Sequence, residues 1–269
     1  MAPPDRDVSV EYDICPEYSS APGPVHSCDI RLTFHTPNPE EPPVTRPDRP
    51  RNPTRPGPVA AAAKRAGDVV VAGTVLLVAS PVLAGVALAV ALRLGRPVLF
   101  RQSRPGRGGE LFTLVKFRTM HDVDPRAGRT TDADRLTRLG RVLRASSLDE
   151  LPSLVGVLRG DLSLVGPRPL LPAYLSLYDA KQARRHDVRP GLTGLAQVAG
   201  RNALSWEERL RLDVEYVDRA SLRLDLRILV RTVGTVLRRT GVTDAGDVSC
   251  APFRGTRPAP ATDAPGAAA

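Results

Sequence analysis

VVVAGTVLLVASPVLAGVALAVAL, Val69 to Leu92, is a run of 24 residues without a formal charge, and its reading decides the fold of this 269-residue chain. A straight helix of that length, at about 1.5 Å per residue, would cross a hydrocarbon core of about 30 Å. Ser80 and Pro81 sit at its midpoint. Proline removes a backbone donor and crowds the preceding turn, while a serine hydroxyl can bond a freed carbonyl. Each arm is then about 12 residues, roughly 18 Å, too short to span alone. Both flanks are basic, with Lys64 and Arg65 before the run and Arg93, Arg96 and Arg101 after it. Positive charge on both sides favours a re-entrant helix hairpin over 64–95 with both ends in the cytoplasm. The alternatives are one membrane-crossing helix or a buried core helix.

Composition changes outward from this segment. Residues 1–63 hold 6 basic and 9 acidic side chains and 14 of the 27 prolines, including the stretch Pro37–Pro58, which cannot hold a helix. They read as a disordered Pro-rich arm, with Cys28–Phe34 as a candidate edge strand, and residues 243–269 read as a disordered tail. Residues 64–240 carry 30 basic against 17 acidic side chains, so the net charge of +9 belongs to the middle. The acidic, Pro-rich start has no signal-peptide pattern. Cys15, Cys28 and Cys250 all lie in the flanks without metal-ligand spacing, and read as free thiols. Basic charge raises the prospect of nucleic acid, but aromatic residues are only 4% of the chain and no nucleic-acid motif is present.

The middle segment reads as α+β and mainly helical. Pro97–Arg101 and Glu110–Phe117 flank SRPGRGG, which predicts a short β-hairpin whose Gly-rich connection carries arginines suited to phosphate. Lys116 and Arg118 alternate on the second strand and could face one anion or solvent. Arg135–Arg144 reads as a basic amphipathic helix leading into SSLDELP, 146–152. Ser147 and Glu150 match a capping box, a structural account of Glu150, and Asp149 then falls in the first turn, where the helix dipole favours its ionised form. Two adjacent carboxylates among arginines also suit a nucleophile and a Mg2+ ligand. Arg168 stands between Pro167 and Pro169 on stiff backbone, useful for holding a phosphate. Ser205 and Glu208 form a second capping-box pattern, opening a helix from Trp206, and the Arg-bearing apolar pattern over 222–239 suits an anionic bilayer surface.

Four motifs in one order, KFRTM (116–120), LTRLGRVLRASSLDELPSL (136–154), GDLSLVGPRPLLPAY (160–174) and RRHDVRPGLTGLAQVAGRN (184–202), resemble the bacterial sugar transferase family of monotopic phosphoglycosyl transferases. The resemblance covers roughly 64–241. It implies a membrane-anchored catalytic domain over 64–242 that transfers a sugar-1-phosphate from a UDP-sugar to a polyprenyl (undecaprenyl-type) phosphate and releases UMP. Asp149 matches the nucleophile that forms a phosphosugar-aspartyl intermediate, and Glu150 the Mg2+-associated carboxylate. Arg168 matches the arginine of the family's Pro-Arg-Pro motif and Lys116 and Arg118 the basic pair before the dyad, with phosphate contacts as the natural role, and Arg144, His186 and Arg189 complete the candidate phosphate-binding set. The implied place is the inner leaflet of the cytoplasmic membrane, facing the cytoplasm, in exopolysaccharide, capsule or glycoconjugate synthesis, with other glycan-assembly enzymes as candidate partners and no nucleic acid. The sequence departs from the family pattern over Ser153–Gly156 and at Leu195 and Ala199. A non-catalytic membrane scaffold and, more distantly, a membrane-held nucleic-acid binder are the alternatives.

Overall fold

A computed structural model describes residues 57–200, 204–238 and 253–255, all within one compact unit, 52–269. The arm's Cys28–Phe34 patch and the three cysteines lie outside the described residues. The first helix, α1 (Pro58–Leu94), is 37 residues long. It begins inside the segment read as a disordered arm, because Pro58 suits the first helical position and Ala60–Ala63 are the strongest helix formers. It also runs through Pro81 as a single element, where two short arms were expected. The proline leaves the carbonyl of Leu77 without its donor, and the Ser80 hydroxyl donates to that carbonyl at 2.8 Å. The repair the sequence suggested is present, and it keeps the helix going. Among the described residues, α1 is the one helix long and apolar enough to cross a membrane, and most of its apolar face is exposed.

Both ends of α1 are tied to the same body. At its start, Arg65 donates to the carbonyls of Val157 and Leu158 (2.6 and 3.0 Å), the last turn of α4 (Leu154–Arg159). Lys64 donates to Asp225 at 2.6 Å, and Asp68 accepts from the buried Ser163 hydroxyl at 2.7 Å. Asp225 also accepts from the buried Tyr216 hydroxyl at 2.8 Å, so its charge is offset by a cation and a hydroxyl. After Gly95 ends the helix, the chain enters β1 (Leu99–Pro105), which pairs antiparallel with β2 (Leu111–Phe117) from Leu99↔Phe117 to Pro105↔Leu111. β1 is longer than the sequence suggested, since Ser103-Arg104-Pro105 belongs to the strand and the connection is only Gly106–Glu110. The expected basic helix is split, because the chain leaves helical geometry at Leu136. A short α2 (Asp132–Arg135) is followed by α3 (Arg138–Ala145), capped by the Thr137 hydroxyl.

A second sheet pairs β3 (Ser163–Val165) in parallel with β4 (Gly191–Thr193). A Cβ at Gly191 would sit 2.0 Å from the nitrogen of Gly166, so this close approach of two backbones excludes any side chain. Gly191→Ala is expected to push the strands apart and lower the melting temperature by several degrees, measured by thermal unfolding. The apolar core gathers Leu114, Leu154, Val157, Leu162, Val165 and Ile228 between these strands, α4 and the C-terminal helices. After α5 (Leu195–Ala199), the expected helix from Trp206 appears as α6 (Trp206–Arg219), with the Ser205–Glu208 capping box formed. It stops at Ala220, and α7 (Leu222–Arg238) follows as a separate helix. α7 buries Asp225 and Ile228 on one side and leaves Leu222, Leu226, Val230 and Val233 exposed on another.

Candidate active site

Between α3 and α4 the chain makes a 3-10 turn, Leu148–Ser153, entered through Ser147 in the left-handed region (φ 57°). That backbone removes the capping box expected from Ser147 and Glu150, since no side-chain cap forms there. Glu150 is instead drawn across to β2 and to the Pro-Arg-Pro segment. Its Oε1 accepts from Lys116 Nζ at 2.6 Å and from Arg168 Nη2 at 2.8 Å. Burial alone would raise the Glu150 carboxyl, but Arg168 and Lys116 outweigh it and hold the group well below the usual carboxylate range. Lys116 is shifted downward, first by its own burial and then by Arg168, while Glu150 pulls the other way.

Asp149 is the opposite case. It is buried, at 7% exposure, and its carboxylate accepts no hydrogen bond among the described residues. Burial first, and the charge of Glu150 second, push its pKa up to about 6, against the opposing pull of Lys116, Arg144 and Arg168. The ionised form that a helix dipole alone would favour is thus disfavoured by desolvation. One carboxylate of the pair is clamped and fully ionised, and its neighbour is unclamped and titrates near neutrality. Neighbouring carboxylates with such divergent environments are characteristic of acid–base and nucleophilic sites.

Arg168 is held through its backbone as firmly as Glu150 is held through its side chain. The carbonyl of Pro167 accepts from the Gly191 amide (2.9 Å), that of Arg168 from Arg185 Nη2 (2.6 Å), and that of Pro169 from Arg104 Nη1 (3.4 Å). Arg185 in turn forms a buried ion pair with Asp213 of α6 at 2.7 Å, both side chains 2% exposed. The Arg168 side chain itself remains 46% exposed and opens on a small cavity lined also by Arg104, Lys116, Glu150, Ser153 and Leu192. Ser153, one of the departures from the family pattern, is buried and donates to the carbonyl of Val115 at 2.7 Å, tying the 3-10 turn to β2.

The other sequence-predicted residues divide. Arg144 lies on the Asp149 side, where its charge acts on that carboxyl while it donates to Thr119 Oγ1 at 3.1 Å. Arg118 does not join Lys116 at one anion. It follows the end of β2 and engages Asp122 (2.7 Å) and the Met120 carbonyl (3.2 Å). His186 is buried with Nδ1 3.1 Å from the Gly106 carbonyl, so it braces the hairpin connection. Arg189 donates to the Gly160 carbonyl at 2.8 Å, and the charges acting on it are those of Arg65, Arg107 and Asp68. Ser80 and Pro81 lie within α1. Arg104, one of the hairpin arginines read as suited to phosphate, lies on β1 and donates to the Pro169 carbonyl, whereas Arg185 and Asp213 carry no such signal as a pair. The available signal was Asp213, a charged residue at core spacing between Leu210 and Val217 on an amphipathic helix.

Among the described residues no group of three candidate metal ligands occurs. The Asp149–Glu150 pair still fits Mg2+ in its usual mode, in which one or two carboxylates bind together with substrate phosphates rather than a full protein cage.

Comparison with known proteins gives the family. The model of the family described as bacterial sugar transferase matches residues 59–239. A Bacillus subtilis protein named "Uncharacterized sugar transferase EpsL" is 50% identical over 194 residues, 72% of this chain and 96% of that protein. The "UDP-glucose:undecaprenyl-phosphate glucose-1-phosphate transferase" of Caulobacter vibrioides is 45% identical over 185 residues, 65% of this chain and 69% of its own. The Rhizobium meliloti "Exopolysaccharide production protein ExoY" is 38% identical over 202 residues, 68% and 89% respectively. The chain belongs to the bacterial sugar transferase family and is a phosphoglycosyl transferase.

Proposed function

We propose that this enzyme transfers a sugar-1-phosphate from a UDP-sugar to a polyprenyl phosphate of the undecaprenyl type, releasing UMP, by way of Asp149. The observation that carries the reading is the split pair, with Glu150 clamped by Lys116 and Arg168 and Asp149 unclamped beside it. A carboxylate oxygen of Asp149 attacks the sugar-linked phosphorus, and the bond from that phosphorus to the UMP oxygen breaks. A phosphate oxygen of the carrier then attacks the same phosphorus and returns the Asp149 carboxylate. Two displacements replace one difficult one. Arg168, Lys116 and Arg144 supply positive charge around the reacting phosphate, where it offsets the approach of anion to anion. Mg2+, held by Glu150 and the diphosphate, would add Lewis-acid neutralisation of the leaving group. The names of the Caulobacter and Rhizobium relatives support the substrate pair and an exopolysaccharide role.

The same reading places the catalytic unit, 64–242, on the cytoplasmic face of the inner membrane. Support for a re-entrant rather than spanning α1 is topological. Arg65 binds α4, while five residues beyond the end of the helix Leu99 enters a hairpin whose partner strand is tied to the turn leading into α4. Both ends of the apolar run therefore belong on one side of the bilayer, and the exposed apolar stripe of α7, flanked by Arg223, Arg227 and Arg231, suits the adjacent surface.

The test is a panel of UDP-sugars with undecaprenyl phosphate and Mg2+, read as UMP. At least one sugar is expected to release UMP, and release of UDP or of nothing across the panel would overturn the reading. In the active reaction the first step needs ionised Asp149. Its rate is expected to show an acid limb with an apparent pKa near 6, falling about tenfold per pH unit below it. Because the Glu150 charge helps raise Asp149, the residual rate of Glu150→Gln should show the limb at lower pH.

A further inference from the structure

Phe253 lies outside the family-matched residues and inside the segment that composition marks as a tail, yet it is buried at 4% exposure. Its ring fills a cradle of three aromatic side chains. It stacks on Tyr178 at 5.7 Å and 29°, meets Tyr174 edge-on at 5.6 Å and 75°, and lies 5.4 Å from Trp206. Its amide donates to the Tyr174 hydroxyl at 3.3 Å, and Leu170 and Leu210 complete the apolar cluster. Such ring arrangements are favourable beyond simple burial of area. In a chain with five Tyr, five Phe and one Trp, four of the eleven converge here.

The cradle adjoins the segment that presents Arg168. Leu170 is two residues beyond Arg168, and Tyr174 lies on the 3-10 turn that follows, Pro172–Leu177. The Tyr178 hydroxyl accepts from Arg185 at 3.3 Å, the Arg185 guanidinium sits 5.6 Å from the Tyr178 ring, and the same guanidinium holds the Arg168 carbonyl at 2.6 Å. Removing Phe253 would leave one face of Tyr178 open to water and loosen the group that orients Arg185.

We propose that Phe253 is a positioning residue, an intramolecular latch that closes the Tyr174–Tyr178–Trp206 cradle and, through Tyr178 and Arg185, fixes the backbone of Arg168 for phosphate binding. The activity arm of the test rests on the transferase reading above, whereas docking itself does not.

Trp206 is the sole tryptophan of the chain, so its fluorescence reports the latch directly in the full-length protein. Phe253→Ala is expected to red-shift Trp206 emission and increase its quenching by acrylamide. It is expected to lower kcat and kcat/KM together by about tenfold, with KM for the UDP-sugar little changed, because the loss concerns the transition state. Phe253→Leu, which refills the cradle, should recover most of the rate. Tyr178→Phe keeps the ring stack but removes the hydroxyl, and should leave Trp206 emission unchanged while lowering kcat severalfold. Unchanged emission in Phe253→Ala overturns docking. Altered emission with an unchanged kcat, or full activity in Tyr178→Phe, overturns the link to Arg168. A wild-type chain that releases no UMP would count against the transferase reading and leave the emission result to decide docking.

Discussion

Asp149→Asn is expected to abolish sugar-phosphate transfer and, in the same protein, to raise the melting temperature. The first effect follows from losing the nucleophile, and a fall of more than about a thousandfold in turnover is expected for a covalent route with no substitute. The second follows from the pKa. Asp149 rises from 3.8 to about 6 on folding, so between those values the folded chain binds more protons than the unfolded one. Stability from this group therefore falls as pH rises through about 4 to 6 and stays reduced at neutral pH. The shift corresponds to a cost of at most about 3 kcal/mol at pH 7. A neutral amide of the same shape removes that cost, which for a unit of this size is worth several degrees of melting temperature. The gain should be mostly lost by about pH 4 and vanish well below it, where aspartate is neutral in both states. Thermal unfolding at pH 7.5 and pH 4 measures it, and an Asn variant less stable than wild type at both pH values would contradict the account of the site.

Arg185→Ala carries the largest expected loss of stability. It leaves Asp213 buried without its cation, a change that typically costs about 3–5 kcal/mol. Burial already pushes the Asp213 carboxyl up, with Arg185 opposing it, so without the arginine the group takes up a proton on folding. The loss should accordingly be smaller at pH 5 than at pH 8 in denaturant unfolding. Replacing the pair together, Arg185→Met with Asp213→Leu, should recover most of the stability, as apolar substitutes for buried ion pairs commonly do. It should not recover transfer, because the Arg168 carbonyl still lacks its donor. A double variant that regained both would show that the ion pair serves only the fold.

Much of this architecture was legible in the sequence, for identifiable reasons. The apolar run, the β-hairpin and the Ser205 cap are written in contiguous residues, and local patterns suffice for them. The position of Ser80 next to Pro81 announces a donor for the freed carbonyl, but whether the helix continues depends on how completely that bond repairs the break. Ser147 and Glu150 fit the capping spacing and nevertheless do something else, since Ser147 adopts a left-handed backbone and two distant cations compete for Glu150. Lys116 and Arg118 share alternation but not a partner, because the strand ends between them. The Arg185–Asp213 pair and the Phe253 cradle join residues 28 and from 47 to 79 positions apart, separations at which sequence pattern carries no geometry.

Intact-protein and peptide mass spectrometry of the full-length chain, incubated with its active UDP-sugar and Mg2+ without polyprenyl phosphate, tests the central claim most directly. The account predicts a mass increase of one phosphosugar on the peptide containing Asp149, released when polyprenyl phosphate is added and absent in Asp149→Asn. UMP production by the complete reaction with no such adduct at Asp149, or an Asp149→Asn chain that still turns over, would contradict it.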